Sequence, residues 1–314
     1  MLYKANNHHL DLVAEVINKK YQIFSHHKNG SVFKYQRNQS PKNISWHSQK
    51  SILPFKKIIF PEGLNLDKDN QKVALTGLAL CDIAALNLFL KQFSESGIIQ
   101  KREELLIVGG DCSPDENCFC DQFNLDPLLD FDLFISKREN EYLVYSKSWR
   151  GENIIKKIGL KKSLVSFNLK AKAKSPKIDL ELTKKNIDNR ELTKDYWQKI
   201  SNNCFGCGAC TAVCPLCFCF DQNFLNSPDG GCKRCLNWTS CFASDFSQIQ
   251  FGHDLRPENT DRLYNWYHHK FVRGPKELKS PLCVGCGRCI TACPAHLNIK
   301  NIISSMNNKF PVDN

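Results

Sequence analysis

The sequence predicts an α+β protein, in which a mixed α/β domain is followed by a cysteine-rich C-terminal domain. Apolar runs of strand length alternate with a helical pattern before residue 150, whereas 13 of the 17 cysteines lie after residue 200. The 314 residues are enough for two domains. Because 42% of them are apolar, the chain can bury real cores and does not have the composition of a disordered protein.

The N-terminal part contains four strand candidates and one helix candidate. The apolar runs "KVALTGLAL" (72–80) and "ELLIVGG" (104–110) predict buried strands, and "FDLFIS" (131–136) and "EYLVYS" (141–146) predict further strands. Between the first two, "DIAALNLFLKQF" (82–93) has the apolar spacing of a helix, with Asp82 as the expected N-cap. The order of the strands in a sheet is not predictable from these patterns.

We expect three segments along the chain: an α/β domain with a cysteine-lined site over 1–150, a basic segment over 151–200, and the cysteine-rich domain over 201–314. The basic segment holds 13 Lys or Arg against 6 Asp or Glu and no cysteine. Such runs are usually solvated linkers, and a docking surface for an acidic protein is the alternative. Nucleic-acid binding is not expected, because no helix-turn-helix or RNA-binding aromatic motif accompanies the charge.

Cellular location bears on what the cysteines do. The N-terminus has no apolar stretch followed by a small-residue cleavage site, and no window approaches the roughly 18 apolar residues of a membrane span. We therefore expect a cytoplasmic protein whose thiols stay reduced. In that compartment clustered cysteines usually bind metal rather than form disulfides.

Two cysteine runs in the C-terminal part have the same spacing. Each is C-x2-C-x2-C-x3-C followed by proline, which is the bacterial ferredoxin spacing for a [4Fe–4S] cluster. Zinc ribbons instead use two CxxC pairs held apart, not four cysteines within 11 residues. In two-cluster ferredoxins the fourth cysteine of each run binds the other cluster. The predicted ligands are Cys204, Cys207, Cys210 and Cys293 for cluster 1, and Cys283, Cys286, Cys289 and Cys214 for cluster 2.

These motifs, with others, resemble one family. The segments are "CFGCGACTAVCPLCFCFD" (204–221), "NWTSC" (237–241), "RLYNWYHHKF" (262–271), "CVGCGRCITACP" (283–294), "LCDIAAL" (80–86) and "GGDCSPDENCFC" (109–120). Together they resemble the iron–sulfur β subunit of soluble sulfhydrogenases and related nickel–iron hydrogenases, and also the A subunit of anaerobic sulfite reductase. The resemblance covers roughly residues 50–300.

The resemblance implies an electron carrier within a hetero-oligomer. Such a subunit links a flavin subunit, which reacts with NAD(P)H, to a catalytic metal subunit of the hydrogenase or sulfite-reductase type. The motifs themselves agree, because a cluster with four cysteine ligands has no open iron for a substrate. No catalytic residue is therefore predicted. A zinc-binding adaptor without redox function is the alternative, and an enzyme with an incompletely ligated cluster is a third hypothesis.

The N-terminal cysteines predict a third [4Fe–4S] cluster, with zinc or buried free thiols as the alternatives. The candidate ligands are Cys81, Cys112, Cys118 and Cys120. The first two follow predicted strands, where α/β proteins place their sites. The gap between the last two is tighter than the two-residue gap of zinc knuckles.

The five remaining cysteines in the middle of the chain have three alternative interpretations. They are buried small side chains near a cluster, ligands of a further metal site, or a redox thiol pair. The five cysteines are Cys217, Cys219, Cys232, Cys235 and Cys241. In the aromatic run 262–271 we expect Trp266, Tyr267 and Phe271 to pack the cluster domain. His268 and His269 are alternatives for tuning a cluster through N–H···S bonds.

Overall fold

The structure is a computed structural model that describes residues 1–42, 44–61, 64–65, 72–94, 96, 98–165, 168–226 and 232–309; of residues 64–65, 225–226 and 232–234 it describes the backbone. It divides into two compact units. The first unit comprises Met1–Pro61, Lys68–Asp115 and Asn124–Ala173. The second comprises Glu62–Asp67, Glu116–Phe123 and Lys174–Asn314.

Strands and helices alternate along the described residues. The strands are β1 (Leu2–Ala5), β2 (Gln22–Asn29), β3 (Val32–Arg37), β4 (Leu64–Asn65), β5 (Val73–Leu78), β6 (Leu105–Gly110), β7 (Leu133–Lys137), β8 (Tyr142–Ser146), β9 (Lys161–Lys162), β10 (Phe220–Asn226) and β11 (Cys232–Trp238). The helices are α1 (Asn7–Asn18), α2 (Lys56–Ile59), α3 (Leu80–Gln92), α4 (Trp149–Ile158), α5 (Leu180–Asp188), α6 (Arg190–Ser201), α7 (Ala209–Ala212), α8 (Asn259–His268), α9 (Gly274–Leu278), α10 (Arg288–Thr291) and α11 (Ile299–Lys309).

The first unit is built on one mixed sheet with the strand order β3-β2-β5-β6-β7-β8-β1-β9. The strands from β2 to β7 in this order run parallel, and the outer pairs are antiparallel. Every residue of β5 and β6 is buried. Central parallel strands are covered on both faces, which explains why they appear as continuous apolar runs in the sequence.

Helix α1 shows how the sheet is covered. Its buried residues Leu10, Val13 and Ile17 recur at helical spacing, so they form one apolar face that joins the core of the sheet. The helix is started by Asn6, whose side chain accepts a hydrogen bond from the backbone N–H of His9.

The four strands predicted from apolar runs are confirmed as β5, β6, β7 and β8. The predicted helix is confirmed as α3, but the prediction that Asp82 caps it is wrong. Ala79 occupies the N-cap and Asp82 lies, buried, in the first turn. The helix begins three residues earlier than predicted, because β5 ends at Leu78 and Ala79 follows directly as the N-cap. A first-turn carboxylate is still favourable there, since the helix dipole is positive at its N-terminus.

The second unit contains more helix than strand. Helices α5 and α6 each bury one face, with Ile187 and Trp197 fully enclosed. Strands β10 and β11 form an antiparallel hairpin that pairs Phe220 with Trp238, and β4 adds to its edge. Within the basic stretch 151–200, residues up to Ala173 belong to the first unit and the rest to the second. Among the described helices, none has the length and apolar character that crossing a membrane requires.

Candidate functional site

The two ferredoxin-type runs fold into loops of the same shape. Gly206 and Gly285 both have φ of 64°, and Gly208 and Gly287 both have φ of 72°. Each second glycine is the N-cap of a one-turn helix, α7 in the first loop and α10 in the second. Glycine adopts positive φ without the steric cost that other residues meet. The backbone can therefore turn tightly around whatever the thiols hold.

The first cavity of the second unit is lined by cysteines from both loops. They are Cys204, Cys207 and Cys210 from the first loop and Cys289 and Cys293 from the second. The remaining wall is apolar, with Phe242, Leu263, Trp266 and Leu297 among its residues. Cys207 is exposed, so this cavity lies close to the protein surface.

The second cavity is lined by three cysteines of the second loop and one of the first. Its cysteines are Cys283, Cys286 and Cys289 from the second loop and Cys214 from the first. Phe119, Leu216, Val284 and Ile299 contribute apolar wall. Cys289 and Ile299 line both cavities, which are therefore adjacent. The fourth cysteine of each loop thus lines the cavity of the other loop.

Backbone amides point at the fourth cysteine of each loop. The N–H of Leu216 donates to Cys214 Sγ at 3.4 Å, and the N–H of Leu297 donates to Cys293 Sγ at 3.4 Å. Amide donors stabilise a sulfur that carries negative charge. Hydrogen bonds of this kind are among the features that set the potential of an iron–sulfur cluster.

Burial makes three of the cavity thiols, those of Cys210, Cys283 and Cys289, poor acids when no metal is bound. Burial raises the pKa of Cys210 and of Cys283 to about 12 in each case, although the nearby Lys270 ammonium lowers both. Burial also raises the pKa of Cys289 well above its usual range. Metal binding requires thiolates, so filling either cavity must release protons. Four sulfur donors in an apolar cavity fit an iron–sulfur cluster.

A single metal ion and a cubic cluster require different spacings of their sulfur ligands. Within the part of the chain that the structure describes, no three or more His, Cys, Asp or Glu side chains are grouped to hold one metal ion. Zinc would require all its sulfurs at about 2.3 Å from one centre. In a cubic cluster each cysteine binds a different iron, so the four thiols stay further apart.

Lys270 is a site residue that sequence reasoning missed. Its side chain is buried, and Nζ donates to Cys214 Sγ at 3.2 Å and to the Leu282 carbonyl at 3.0 Å. Nζ also lies 5.0 Å from the centre of the Trp266 ring. Burial alone would lower the pKa of Lys270. Attraction between its ammonium and the thiolate forms of Cys214, Cys217 and Cys283 outweighs burial, so the pKa lies well above its usual range. The available signal was a lysine inside an aromatic run between two cluster motifs.

The other members of that aromatic run pack as expected. Trp266, Tyr267 and Phe271 are buried. The ring of His269 meets that of Phe218 edge-on, and burial together with Arg273 lowers the pKa of His269 to about 3. His268 Nε2 lies 3.4 Å from Asp188 Oδ1. The hypothesis that either histidine tunes a cluster stays a prediction.

Two short segments support the loops from outside. Ser240 accepts a hydrogen bond from Thr211 Oγ1 at 2.9 Å beside the first loop. Phe119 donates its N–H to the Gly285 carbonyl at 2.8 Å beside the second. Next to Phe119, the Cys118 thiol donates to the Cys286 carbonyl at 3.8 Å.

The four N-terminal cysteines fall in both units. Cys81 is the second residue of α3, directly after β5, and Cys112 follows β6 by two residues. Strands β5 and β6 are parallel neighbours, so both cysteines come after carboxyl ends at one edge of the sheet. Cys118 and Cys120 belong to the second unit. The predicted third site stays a prediction.

The other middle cysteines lie around the hairpin. Cys219 precedes β10, Cys241 follows β11, and their thiols are hydrogen bonded to each other. This bond and burial raise the pKa of Cys241 far above its usual range. Cys235 is buried in β11 and Cys217 is half-buried. The side chain of Cys232 lies outside the described residues.

Comparisons with known proteins agree with this geometry. Residues 203–297 match the family model of the 4Fe-4S dicluster domain, which spans both loops. Over 313 residues the chain is 26% identical to sulfhydrogenase 2 subunit beta of Pyrococcus furiosus, with 91% of this chain and 92% of that protein covered. No solved structure matches the chain. The chain is thus an iron–sulfur electron-transfer protein, and its predicted resemblance to the β subunits of sulfhydrogenases is confirmed.

Proposed function

We propose that the chain is the electron-transfer subunit of a cytoplasmic, sulfhydrogenase-type complex. It carries electrons between a flavin subunit that reacts with NAD(P)H and a catalytic metal subunit. One observation supports this most strongly: the two cysteine-lined cavities are adjacent, because Cys289 and Ile299 line both. Adjacent redox sites suit the transfer of electrons through a protein.

The proposed ligand sets follow the lining of the cavities. Cys204, Cys207, Cys210 and Cys293 hold cluster 1, and Cys283, Cys286, Cys289 and Cys214 hold cluster 2. A [4Fe–4S] cluster with four cysteine ligands supplies one-electron transfer and leaves no iron open for a substrate. The protein binds it through the thiolates and directs the Leu216 and Leu297 amides at them. Apolar side chains such as Trp266 exclude water from the site.

Partners are proposed because the sequence carries no Gly-rich motif for binding a nicotinamide cofactor. No Gly-x-Gly-x-x-Gly follows a strand in the sequence; β6 ends in Gly109-Gly110 and continues into Asp111 and Cys112. The name of the Pyrococcus furiosus relative describes one subunit of an assembly, which supports a hetero-oligomer. The flavin chemistry and the terminal reduction are therefore assigned to separate subunits.

The experiment that tests this function is anaerobic affinity purification followed by reduction with NAD(P)H. We expect the tagged chain to copurify with a flavoprotein. NAD(P)H should bleach the visible absorption of the chain only when that flavoprotein is present. An isolated chain that oxidised NAD(P)H with an artificial acceptor would contradict the proposal. A Cys207→Ser chain offers the control, since it should still bind the flavoprotein but lose part of the bleaching.

We also propose a third [4Fe–4S] cluster held by Cys81, Cys112, Cys118 and Cys120. Support comes from the placement of Cys81 and Cys112 after two adjacent parallel strands, and from a donor set of four thiols without histidine. Such a cluster would extend the electron path into the first unit, toward a second partner.

Iron analysis tests the third cluster. Three cubes of four irons predict about twelve iron atoms per chain. Cys81→Ser and Cys118→Ser should each lose about four, whereas Cys235→Ser, which alters a buried thiol of β11, should lose none. Wild-type protein with about eight iron atoms, unchanged by Cys81→Ser, would contradict the third cluster.

A further inference from the structure

The two cluster loops are close to copies of one another. Both follow the pattern C-x-G-C-G-x-C-x3-C-P, and their glycines have the same φ values of 64° and 72°. The fourth cysteine of each loop also accepts a backbone N–H···S bond at 3.4 Å. Ligands and loop backbone alone would therefore give the two clusters nearly equal surroundings.

One side chain breaks this equivalence. Of the described residues that line the two cavities, Lys270 is the one with a charged side chain, and it lines only the second. It is 4% exposed, which is rare for a lysine. The corresponding wall of the first cavity carries apolar side chains such as Leu263 and Phe242.

The ammonium of Lys270 is held in place from several sides. Nζ contacts Cys214 Sγ, the Leu282 carbonyl and the face of Trp266. The backbone is also tied, because the N–H of Leu282 donates to the Lys270 carbonyl at 2.8 Å. Lys270 lies in the π-helical turn His269–Arg273 between α8 and α9. Such turns inside helices occur frequently at functional sites.

A fixed positive charge acts on the redox equilibrium of a cluster. Reduction adds one negative charge to the cluster, and a nearby cation stabilises the reduced state more than the oxidised state. The effect is large where water is excluded, because the local dielectric is low. The N–H···S bond to Cys214 acts in the same direction, since hydrogen bonds to the sulfurs help to set the potential.

We propose that Lys270 makes the cluster of the second cavity the more easily reduced of the two, so that an electron shared by the pair resides there. The inference rests on the ligand assignment proposed above. In the transfer one electron leaves the cluster of the first cavity and enters that of the second. No bond is made or broken, and the ammonium keeps its proton.

The test is an anaerobic redox titration of the full chain, monitored by electron paramagnetic resonance, with dithionite as the reductant. Cys283→Ser identifies which signal belongs to the second cluster. Lys270→Met should lower the midpoint potential of that cluster by more than that of the other, whose ligand Cys210 also senses the Lys270 charge but has no contact with Nζ as short as that of Cys214. The equilibrium constant for the position of the electron should change at least tenfold, which corresponds to about 59 mV for one electron.

Two further variants separate charge from packing. Lys270→Arg keeps the cation and should keep the wild-type difference between the clusters. Lys276→Met removes the same charge from a side chain that is 59% exposed, and should leave both potentials in place. If Lys270→Met loses the cluster, Lys270→Gln, which can still donate to the Leu282 carbonyl, is titrated instead.

The outcomes distinguish this inference from the proposed function. A wild-type chain without two reducible clusters would overturn the ligand assignment and the inference together. Two clusters in the wild type, with potentials that Lys270→Met and Lys270→Gln leave unchanged or shift equally, would overturn the inference alone.

Discussion

At the residue scale, the two loops share the same cysteine and glycine positions but contact different neighbouring residues. A Cβ added to Gly285 would lie 2.5 Å from the backbone carbonyl carbon and oxygen of Phe119. The equivalent atom at Gly206 would lie 3.0 Å from Asn259 Oδ1, the end of a side chain. The Asn259 side chain, whose Nδ2 donates to the Cys204 carbonyl at 2.8 Å, must yield by only a few tenths of an ångström. The Phe119 backbone would have to move further, and it is held by its own hydrogen bond to Gly285. The second loop therefore tolerates less change than the first.

This difference predicts the result of two matched substitutions. Gly206→Ala and Gly285→Ala both place alanine at φ of 64°, which costs about 1–2 kcal/mol in each case. Gly285→Ala must in addition displace the Phe119 backbone, so it should lose the second cluster, about four iron atoms per chain. Gly206→Ala should keep most of its iron. Iron analysis and anaerobic urea unfolding check this; equal iron loss in both variants would contradict it.

Residue roles were only partly predictable from the sequence. The cysteine spacing predicted two ligand sets, and the residues of each set line a common cavity, with Cys289 lining both. That these sets hold clusters stays a prediction. The role of Asp82 was mispredicted, because the start of α3 depends on where β5 ends. Lys270 was missed because its burial results from packing by Trp266 and Leu282, which no local pattern shows.

At the element scale, prediction succeeded where burial was continuous. Strands β5 and β6 are enclosed on both faces, so their sequences are uninterrupted apolar runs. Strand β2, "QIFSHHKN", mixes buried serine and histidine with apolar residues, so no period of two is visible. The hairpin strand β10, "FDQNFLN", is exposed from Asp221 to Phe224. Its pairing with β11 gives a polar sequence an extended backbone that propensity alone does not indicate.

The cluster loops are the elements that local sequence determined best. Each consists of glycines at positive φ followed by a one-turn helix, and cysteine and glycine positions alone predict such a turn. The supporting segments are different, because they are distant in the sequence. Phe119 reaches the second loop from 166 residues away, from Phe119 to Gly285. Such a contact comes from tertiary packing, so the residues near Phe119 in the sequence do not predict it.

At the scale of the whole molecule, the sequence predicted the fold class but not the membership of its units. The α+β architecture with a C-terminal cluster domain is confirmed. Two short pieces, Glu62–Asp67 and Glu116–Phe123, belong to the second unit although both lie in the N-terminal half. The pairing of β4 with β11 and the hydrogen bond from Phe119 to Gly285 connect them to the rest of this unit. Boundaries drawn from composition cannot detect segments this short.

We propose that the two loops exchange their fourth cysteines. Cys214 lines the cavity of the second loop, and Cys293 lines that of the first. The exchange would make one redox unit of two motifs that begin 79 residues apart, at Cys204 and Cys283. Loss of either fourth ligand should therefore damage the cluster held mainly by the other loop.

The measurement is electron paramagnetic resonance of dithionite-reduced Cys214→Ser and Cys293→Ser chains, with Cys283→Ser and Cys204→Ser as references for each cluster. The account predicts that Cys214→Ser alters the same signal as Cys283→Ser, and that Cys293→Ser alters the same signal as Cys204→Ser. Matching in the opposite sense, with Cys214→Ser altering the signal that Cys204→Ser alters, would contradict the exchange. A colourless wild-type chain that binds zinc and shows no reducible signal would contradict the iron–sulfur account as a whole.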